Sequence, residues 1–381
     1  MLPLTGLLFA VLPSEKFATY KRFHDKAYSS ITEEAHAFNA FSANDNLINS
    51  HNSQPGRSYS LGHNEYSDLS FTDFTTSFLN SYSPLNLTAT SPMTAETFPP
   101  EDSIDWTTRG AVTAIKNQGR SCGSCWAFAA VGATEGAYAI AAGGHLVSLS
   151  EQQLLACDFA GHGCKGGDSG QAFDWVEHGN PLCTESDWPY TSGTGHMSEC
   201  TSTCHPAVAV DSWARLPSED EGSLVAALRK GPVAVAIEAD LSTFQLYKGG
   251  IYDDPSCLTK VNHAVLLVGF GYDETSQKHY YKVKNSWGRT WGEDGFMRIQ
   301  MGTNRCGLAI EPTHPTRVSD ATGRAFPRPP LPPQPPPTPP AMPPPGASSL
   351  LTASTAALFS SALALIATLL AVCSCLCCGR S

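Results

Sequence analysis

Aromatic positions in the first part of the chain recur at roughly the spacing of one face of an α-helix. Phe17, Tyr20, Phe23 and Tyr28 follow this spacing, and residues 33–52 also have a helical pattern. The stretch is polar, charged and free of cysteine. We therefore predict helices here, in a segment that is separate from the cysteine-rich part that follows.

Three more helices are predicted in the next part of the chain. An alanine-rich run over residues 125–142 stops at two consecutive glycines, a common C-terminal signal. Ser148 and Glu151 have the spacing of a capping box and precede an apolar run. Residues 170–178 form the third helix, a short one that ends at a glycine.

Beyond about residue 208 the pattern changes. One more helix, over residues 218–230, ends at a Gly-Pro pair. Strand-like runs follow at residues 233–238, 263–270, 279–284 and 295–300. Helices followed by strands predict an α+β domain with two lobes.

The C-terminal part has a different composition. Residues 327–346 contain 13 prolines, which predicts an extended stalk without a core, placed within residues 317–349. Residues 350–372 are 23 residues without a charge, long enough to cross a bilayer, and residues 373–381 form a short cysteine-rich tail. Three interpretations stay open: a tail trimmed on maturation, a GPI signal, and a single-pass membrane anchor with palmitoylated cysteines. We favour the anchor.

Length and charge narrow the class of protein. A chain of 381 residues predicts two or three domains. The net charge of −11 argues against nucleic acid as a partner, because phosphate binding needs clustered lysine and arginine.

Cysteine usage indicates an oxidising compartment. Nine of the 13 cysteines lie between Cys122 and Cys306, so one reactive thiol and four disulfides are expected there. Disulfides require the secretory route. The apolar residues 1–13 are accordingly interpreted as a weak or incomplete signal peptide, the alternative being an ordinary apolar terminus. Asn86 begins the glycosylation sequon on which we base the expectation of a glycoprotein.

One cysteine has the surroundings of a nucleophile. Cys125 stands where the alanine-rich helix begins, so a thiolate there faces unpaired backbone N–H groups and the positive end of the helix dipole. Gln118, just upstream, has an amide that can donate to an oxyanion. The alternative is that Cys122 and Cys125 form a redox or zinc-binding pair. That alternative gives no reason for the segments described next.

Two later segments carry a histidine and an asparagine. His263 comes 138 residues after Cys125, and Asn285 comes 22 residues after His263. This order and separation fit a Cys–His–Asn apparatus. His263 would take the thiol proton and return it to the leaving amine. Asn285 would hold the imidazole's orientation, and Trp287 would shield that hydrogen bond from water.

With these motifs the chain resembles the papain family, and within it the cathepsin L-like branch, over about residues 17–315. The motif Cys-Gly-Ser-Cys-Trp-Ala-Phe that contains Cys125 is highly specific, and Asn-Ser-Trp-Gly from Asn285 repeats the family's last catalytic segment. The resemblance implies a papain-like two-lobed α+β fold, a helical lobe plus a β-barrel-like lobe, over residues 100–316. It implies a cysteine endopeptidase that acts on proteins and peptides, with no metal and no organic cofactor.

The resemblance also assigns roles. It implies Cys125 as nucleophile, His263 as acid/base, Asn285 as the group that orients it, and Gln118 as oxyanion donor together with the Cys125 backbone N–H. No histidine-rich insertion of the kind that makes cathepsin B-like enzymes trim dipeptides is present, so endopeptidase activity is expected.

Residues 14–99 resemble the family's inhibitory propeptide. Its helical signature is present at Glu33, Ala37, Phe41, Asn44, Ile48 and Asn52, and its second motif at Gly62, Asn64, Tyr66 and Asp68. Ala37 replaces the usual arginine, so one ion pair is expected to be missing. In the family this segment lies backwards along the cleft and leaves at acidic pH, for which protonation of carboxylates such as Asp68 is a trigger. Cleavage is expected near residues 97–101.

One departure from the family lies close to the chemistry. Six residues separate Gln118 from Cys125, where family members usually have five. We expect a local bulge around Arg120 and Ser121. Displacement of the Gln118 amide would weaken the oxyanion hole, at a cost of roughly 10²–10³ in rate.

Substrate-binding residues also transfer by resemblance. Gly166 and Gly167 match a glycine strip whose bare backbone pairs with the extended substrate. Glu311 matches the floor of the pocket for the second residue before the cut, the S2 pocket, and Val261 and Ala264 would line its wall. A carboxylate there is expected to admit arginine as well as leucine or phenylalanine. The alternative is that Glu311 points to solvent.

The family's three disulfides transfer as Cys122–Cys164, Cys157–Cys200 and Cys257–Cys306, which leaves Cys183 and Cys204 to be paired by elimination. Zinc binding at Cys157, His162 and Cys164 is an alternative use of these residues.

A monomer in a lysosome-like or extracellular compartment is expected. The rival hypothesis is a catalytically silent binding or inhibitor protein of the same fold.

Overall fold

The structure is a computed structural model, and it describes residues 12–79, 102–158, 161–201 and 204–321. Most of the predicted signal peptide, Asn86, the predicted cleavage segment and the apolar segment 350–372 lie outside these residues. Within the described residues, none of the helices has both the length and the apolar character needed to cross a bilayer.

Residues 12–79, called the N-terminal region below, consist of three helices and a short strand: α1 (Pro13–Phe23), α2 (Ile31–Asn52), β1 (Tyr59–Leu61) and α3 (Phe71–Phe78). The helices begin where the local sequence supplies a cap. Ser30 accepts a hydrogen bond from the backbone N–H of Glu33 at the start of α2, and Ser70 accepts one from Asp73 at the start of α3.

Aromatic packing holds α1 against α2. Phe17, Tyr20, Ala37 and Phe41 form one buried cluster. Phe23 is 78% exposed, so the expectation that it shares the apolar face of Phe17 and Tyr20 is wrong. Phe23 is the last residue of α1, where the second helix no longer covers that side.

Residues 102–321, called the main domain below, contain five α-helices, three short 3₁₀ helices and nine strands in the described parts. The α-helices are α4 (Cys125–Ala141), α5 (Glu151–Cys157), α6 (Ser169–Glu177), α7 (Glu221–Leu228) and α8 (Ser242–Gln245). The strands are β2 (Ile104–Asp105), β3 (Leu182–Cys183), β4 (Pro206–Arg215), β5 (Val233–Ile237), β6 (Tyr247–Tyr252), β7 (His263–Asp273), β8 (Lys278–Lys284), β9 (Phe296–Gln300) and β10 (Thr313–Asp320).

The strands form one sheet, in the order β1-β6-β9-β8-β7-β5-β10-β4-β3, with β2 on β7. The predicted α+β class with a helical lobe and a sheet-rich lobe is confirmed. Strand β1 of the N-terminal region pairs with β6, with Tyr59 opposite Gly250. The N-terminal region therefore extends the sheet of the main domain.

Helix α4 is the centre of the helical lobe. It is buried on nearly all sides and packs against β7 of the sheet. Gly132 permits this approach, because a Cβ there would come within 2.8 Å of the Leu266 side chain. The predicted run over residues 125–142 is therefore one helix at the interface of the two lobes.

Two local predictions need correction. Helix α5 is capped by Ser150, which accepts from the backbone N–H of Gln153, and not by Ser148 as the capping-box spacing predicted. Strand β10 continues to Asp320 and pairs with β4, so residues 317–320 belong to the sheet and not to the predicted stalk.

Four disulfides join segments of the main domain: Cys122–Cys164, Cys157–Cys200, Cys183–Cys204 and Cys257–Cys306. Among the described residues Cys125 is the free cysteine, and it is buried. The described residues contain no group of three or more histidine, cysteine or acidic side chains placed to hold a metal ion.

Candidate active site

Cys125 is the first residue of α4 and is fully buried. Its sulfur lies by the backbone N–H groups of Ala264 and Trp126. Burial raises the pKa of the Cys125 thiol to about 11, although these N–H groups pull it down. Cys122 is bonded to Cys164, so the hypothesis of a Cys122–Cys125 redox pair has no second thiol to use.

His263 is the first residue of β7, and the sheet brings it to the N-terminus of α4. Its Nε2 is 2.9 Å from Oδ1 of Asn285, while its Nδ1 has no hydrogen-bond partner in the described part of the chain. The Trp287 ring stacks on the imidazole with 4.6 Å between ring centroids. One ring nitrogen is thus held by Asn285, and the other is left for a further group.

Burial also lowers the pKa of His263 to about 4, against the raising effect of the Asn285 hydrogen bond. Burial therefore disfavours the charged form of both Cys125 and His263 in this structure. A thiolate–imidazolium pair needs surroundings in which each charge is stabilised by the other or by water.

Gln118 lies in the same site and is fully buried. Its Oε1 accepts a hydrogen bond of 2.6 Å from the Ser286 hydroxyl, and its Nε2 donates one of 3.1 Å to the Cys122 carbonyl. The Gln118 backbone N–H donates to the Ser286 carbonyl at 2.8 Å. Ser286 therefore fixes which way the amide points, and one of the two Nε2 hydrogens remains for another acceptor.

The longer loop between Gln118 and Cys125 is held at both ends. Gly119 has a φ of +75°, and a Cβ at this residue would come within 2.4 Å of the Gly193 carbonyl. The Ser121 N–H donates to that same carbonyl at 3.3 Å, and the Tyr190 hydroxyl donates to the Gln118 carbonyl at 2.7 Å. The extra residue is accommodated while Gln118 keeps its hydrogen bonds to the Ser286 segment.

Gly166 and Gly167 lie next to Trp126, the residue after Cys125. A Cβ at Gly167 would come within 2.6 Å of the Trp126 ring, and Gly166 has a φ of +114° that strongly favours glycine. The neighbouring Cys164 accepts a hydrogen bond of 2.9 Å from Gly123 in the cysteine loop. This leaves a strip of bare backbone beside the thiol.

Glu311 is 3% exposed and does not point to solvent. It lies two residues before Thr313, which pairs with β5, and β5 pairs with the start of β7 where Ala264 lies. Val261 is near Gly307 of the same turn. The structure therefore links Glu311 to Ala264 through the adjacent strands β10, β5 and β7, and places Val261 beside the turn that precedes Glu311.

Sequence analysis missed two charged neighbours of Glu311. Arg215, at the end of β4, has one guanidinium nitrogen 4.0 Å from Glu311 and another 2.9 Å from Asp168. Asp168 follows the glycine strip directly, which is a signal that could have found it. Arg215 is brought in by the pairing of β4 with β10, for which the sequence offers no sign.

A second buried charge cluster lies beneath the site and was also missed. Lys116 is 3.1 Å from Glu135 of α4 and 2.7 Å from Glu151 of α5. Burial raises the pKa of Glu151 to about 8, while burial lowers the pKa of the neighbouring Lys284. The cluster connects both lobes next to Gln118 and Asn285, which follow Lys116 and Lys284 closely in the chain.

The N-terminal region packs directly on Trp287. Tyr66 donates its phenolic hydrogen to the Trp287 carbonyl at 2.8 Å, and Phe74 and Phe78 of α3 meet the Trp287 ring edge-on. All three aromatic side chains are at most 1% exposed. The N-terminal region therefore contacts the residue that stacks on His263.

Asp68 organises the turn that carries these contacts. Its carboxylate accepts hydrogen bonds from the Tyr20 hydroxyl at 2.9 Å, the Lys26 ammonium at 2.9 Å and the Tyr28 hydroxyl at 3.0 Å. Arg120 of the main domain lies 3.5 Å away. Burial alone would raise the pKa of Asp68, but the two cations and the hydrogen bonds hold it below its usual range.

Comparison with known proteins supports one family over most of the chain. The family description "Papain family cysteine protease" matches residues 100–316, and "Cathepsin propeptide inhibitor domain" matches residues 17–74. Cysteine proteinase A of Leishmania mexicana is 38% identical over 316 residues, which cover 81% of this chain and 87% of that protein.

Solved structures agree. The recombinant stem bromelain precursor has a TM-score of 0.71 at 34% identity, covering 80% of this chain and 98% of that one. Digestive procathepsin L 3 of Tenebrio molitor larval midgut has a TM-score of 0.70 at 35% identity, covering 80% and 99%. The chain belongs to the papain family of cysteine proteases, as the zymogen of an endopeptidase whose N-terminal region is the inhibitory propeptide.

Proposed function

We propose that Cys125 is the nucleophile of this endopeptidase and His263 its acid/base. His263 takes the proton of the Cys125 thiol, the resulting thiolate attacks the scissile carbonyl, and the C–N bond breaks as His263 gives that proton to the leaving amine. His263 then deprotonates a water, which attacks the thioester and releases the acid and the free thiol. The observation that carries this proposal is that the one free cysteine of the described residues, at the N-terminus of α4, meets a histidine whose far nitrogen is held by Asn285.

Asn285 and Gln118 would act on these two groups. The Asn285 hydrogen bond leaves Nδ1 of His263 facing the thiol side, and the stacked Trp287 keeps water away from it. Gln118 would donate its second Nε2 hydrogen to the oxyanion, together with the Cys125 backbone N–H at the start of the helix.

Labelling by an epoxysuccinyl probe tests the proposal. The purified full chain is acidified, incubated with the probe and digested for mass spectrometry. We expect one label, on Cys125. A label on another cysteine, or none after the N-terminal region has been cleaved away, would contradict the proposal and favour a silent binding protein.

The acid trigger is proposed to act through Asp68. Because its pKa is lowered in the folded state, its contribution to the stability of the N-terminal region is present above the unfolded value of about 4 and is lost as the pH falls below it. Asp68→Asn removes the anion at every pH. We expect the rate of probe labelling of Cys125 at pH 6 to rise at least about tenfold. The reason is that at least one charge-assisted hydrogen bond that keeps the N-terminal region in place is lost.

Asp73→Asn is the matched control, because Asp73 is a half-exposed carboxylate of the same region that pairs with exposed His36. It is expected to label at the wild-type rate. Equal labelling rates for the Asp68→Asn variant and the wild type would rule out Asp68 as the acid trigger.

The S2 pocket is proposed to accept arginine as well as large apolar side chains. Its floor holds the buried carboxylate of Glu311, which lies 4.0 Å from the Arg215 guanidinium. We expect Glu311→Gln to lower kcat/KM for an Arg-Arg substrate about tenfold and to leave a Phe-Arg substrate within about twofold. Glu274→Gln, in an exposed turn, is the control. An equal loss of kcat/KM on both substrates would show that Glu311 has a structural role and does not determine specificity.

Four disulfides indicate folding in the secretory pathway. We propose a monomer that acts in a lysosome-like or extracellular compartment and is anchored through residues 350–372, on the support of their uncharged sequence. Alkaline carbonate extraction of membranes from expressing cells would release the protein if this anchor is absent.

A further inference from the structure

Arg120, in the cysteine loop, lies against the N-terminal region. The Arg120 guanidinium donates to the Glu65 carbonyl at 2.7 Å, lies 3.5 Å from the Asp68 carboxylate, and sits 5.9 Å from the centre of the Tyr66 ring. These partners all belong to the N-terminal region. Within the described main domain, no carboxylate lies at ion-pair distance from Arg120.

Release of the N-terminal region removes those partners at once. The loop itself is held by contacts inside the main domain, namely the Ser121 and Tyr190 hydrogen bonds and the Cys122–Cys164 disulfide. The Arg120 side chain is already 40% exposed in the zymogen. The mature enzyme is therefore left with a cation, two residues after Gln118, whose donors lack an acidic partner.

The position of Arg120 relative to the thiol follows from its neighbours. Its partner Glu65 contacts Asn117 at 3.3 Å, and Asn117 pairs with Trp287 in an isolated β-bridge. The glycine strip lies next to Trp126, the residue after Cys125. If the substrate residues before the scissile bond pair with the glycine strip, the substrate residues after that bond lie along Trp287 and extend to Arg120.

We propose that Arg120 is a specificity-determining residue that binds an acidic side chain of the substrate on the leaving-group side of the scissile bond. The proposal rests on the proposed function. An arginine fork matches the geometry of a carboxylate, and in the zymogen the same fork already lies against Asp68 and a peptide carbonyl. The propeptide turn thus occupies the place that an acidic substrate residue takes after activation.

The test uses the full chain activated in acid, with active sites titrated by the epoxysuccinyl probe. Internally quenched peptides carry either glutamate or glutamine at the first or second residue after the cut. At pH 6 we expect wild type to prefer the glutamate peptide in kcat/KM by about fivefold to tenfold at one of these positions. Arg120→Gln should show no preference, and Arg120→Lys should regain part of it.

Arg109→Gln is the control, because Arg109 is an exposed arginine that packs on Trp106. It should keep the wild-type preference. For wild type, the preference should also vanish at pH 3.5, where the glutamate is mostly protonated, and should shrink when ionic strength is raised. These wild-type readouts test the proposal even where the Arg120→Gln variant does not fold.

The outcomes separate the two proposals. Hydrolysis by a titratable enzyme that has no glutamate preference, or the same preference in Arg120→Gln, overturns the role of Arg120 alone. Failure of probe titration and of hydrolysis with every peptide overturns the proposed function instead.

Discussion

Replacement of Cys125 by alanine is expected to lower kcat for peptide hydrolysis by about 10⁵–10⁶-fold. Cys125 is the only free thiol among the described residues, since the other cysteines of the described main domain are in disulfides. The double variant with His263→Ala should lose no more than Cys125→Ala alone, because nucleophile and base act as a unit.

The measurement is steady-state hydrolysis of a Phe-Arg substrate by acid-treated protein. His145→Ala is the control for general loss of an imidazole, since His145 is exposed beyond the end of α4, and it should retain full activity. Residual activity of the Cys125→Ala variant within about tenfold of wild type would contradict the assignment of the nucleophile. Thermal unfolding of each variant distinguishes a chemical loss from misfolding.

Replacement of Tyr66 by alanine is expected to open the zymogen at neutral pH. Tyr66 is buried between Phe78 and Trp287 and also donates to the Trp287 carbonyl. Truncation of a buried aromatic residue costs about 3 kcal/mol or more, which corresponds to an increase of roughly 10²-fold in the open population. The second-order rate of probe labelling at pH 7 should rise by that factor, because labelling follows the open fraction.

Phe23→Ala is the matched control for the Tyr66 variant. Phe23 is an aromatic residue of the same region but is 78% exposed, so its truncation should leave the rate within about twofold of wild type. An unchanged rate for the Tyr66 variant would mean that contacts on Trp287 do not keep the zymogen closed.

Local features of the chain were predictable. Helix α4 begins at Cys125 and ends before two glycines, and both signals lie within a few residues of the ends they mark. The strands that begin at residues 233 and 263 were also found, because their apolar runs are buried on both faces. The strands β4 and β10 were missed, because β4 is only partly buried and its partner lies about 100 residues away.

The charged parts of the site were the least predictable. Arg215 reaches Glu311 through the β4–β10 pairing, and Lys116 joins Glu135 to Glu151 only because α4 and α5 pack together. A long cationic side chain on a loop or strand end has no periodic signature, since its usual place is in water. The sequence marked the extra residue near Arg120 but gave no sign of its partner.

By itself, the sequence determined the fold class and the family, together with the residue types at the nucleophile, base and orienting positions. These depend on short motifs and on helix signals that act over a few residues. Only the tertiary structure decided which ring nitrogen of His263 is free, which way the Gln118 amide points and what Arg120 touches. Each of these depends on hydrogen bonds between segments far apart in the chain, and such bonds exist only once the two lobes and the N-terminal region have packed together.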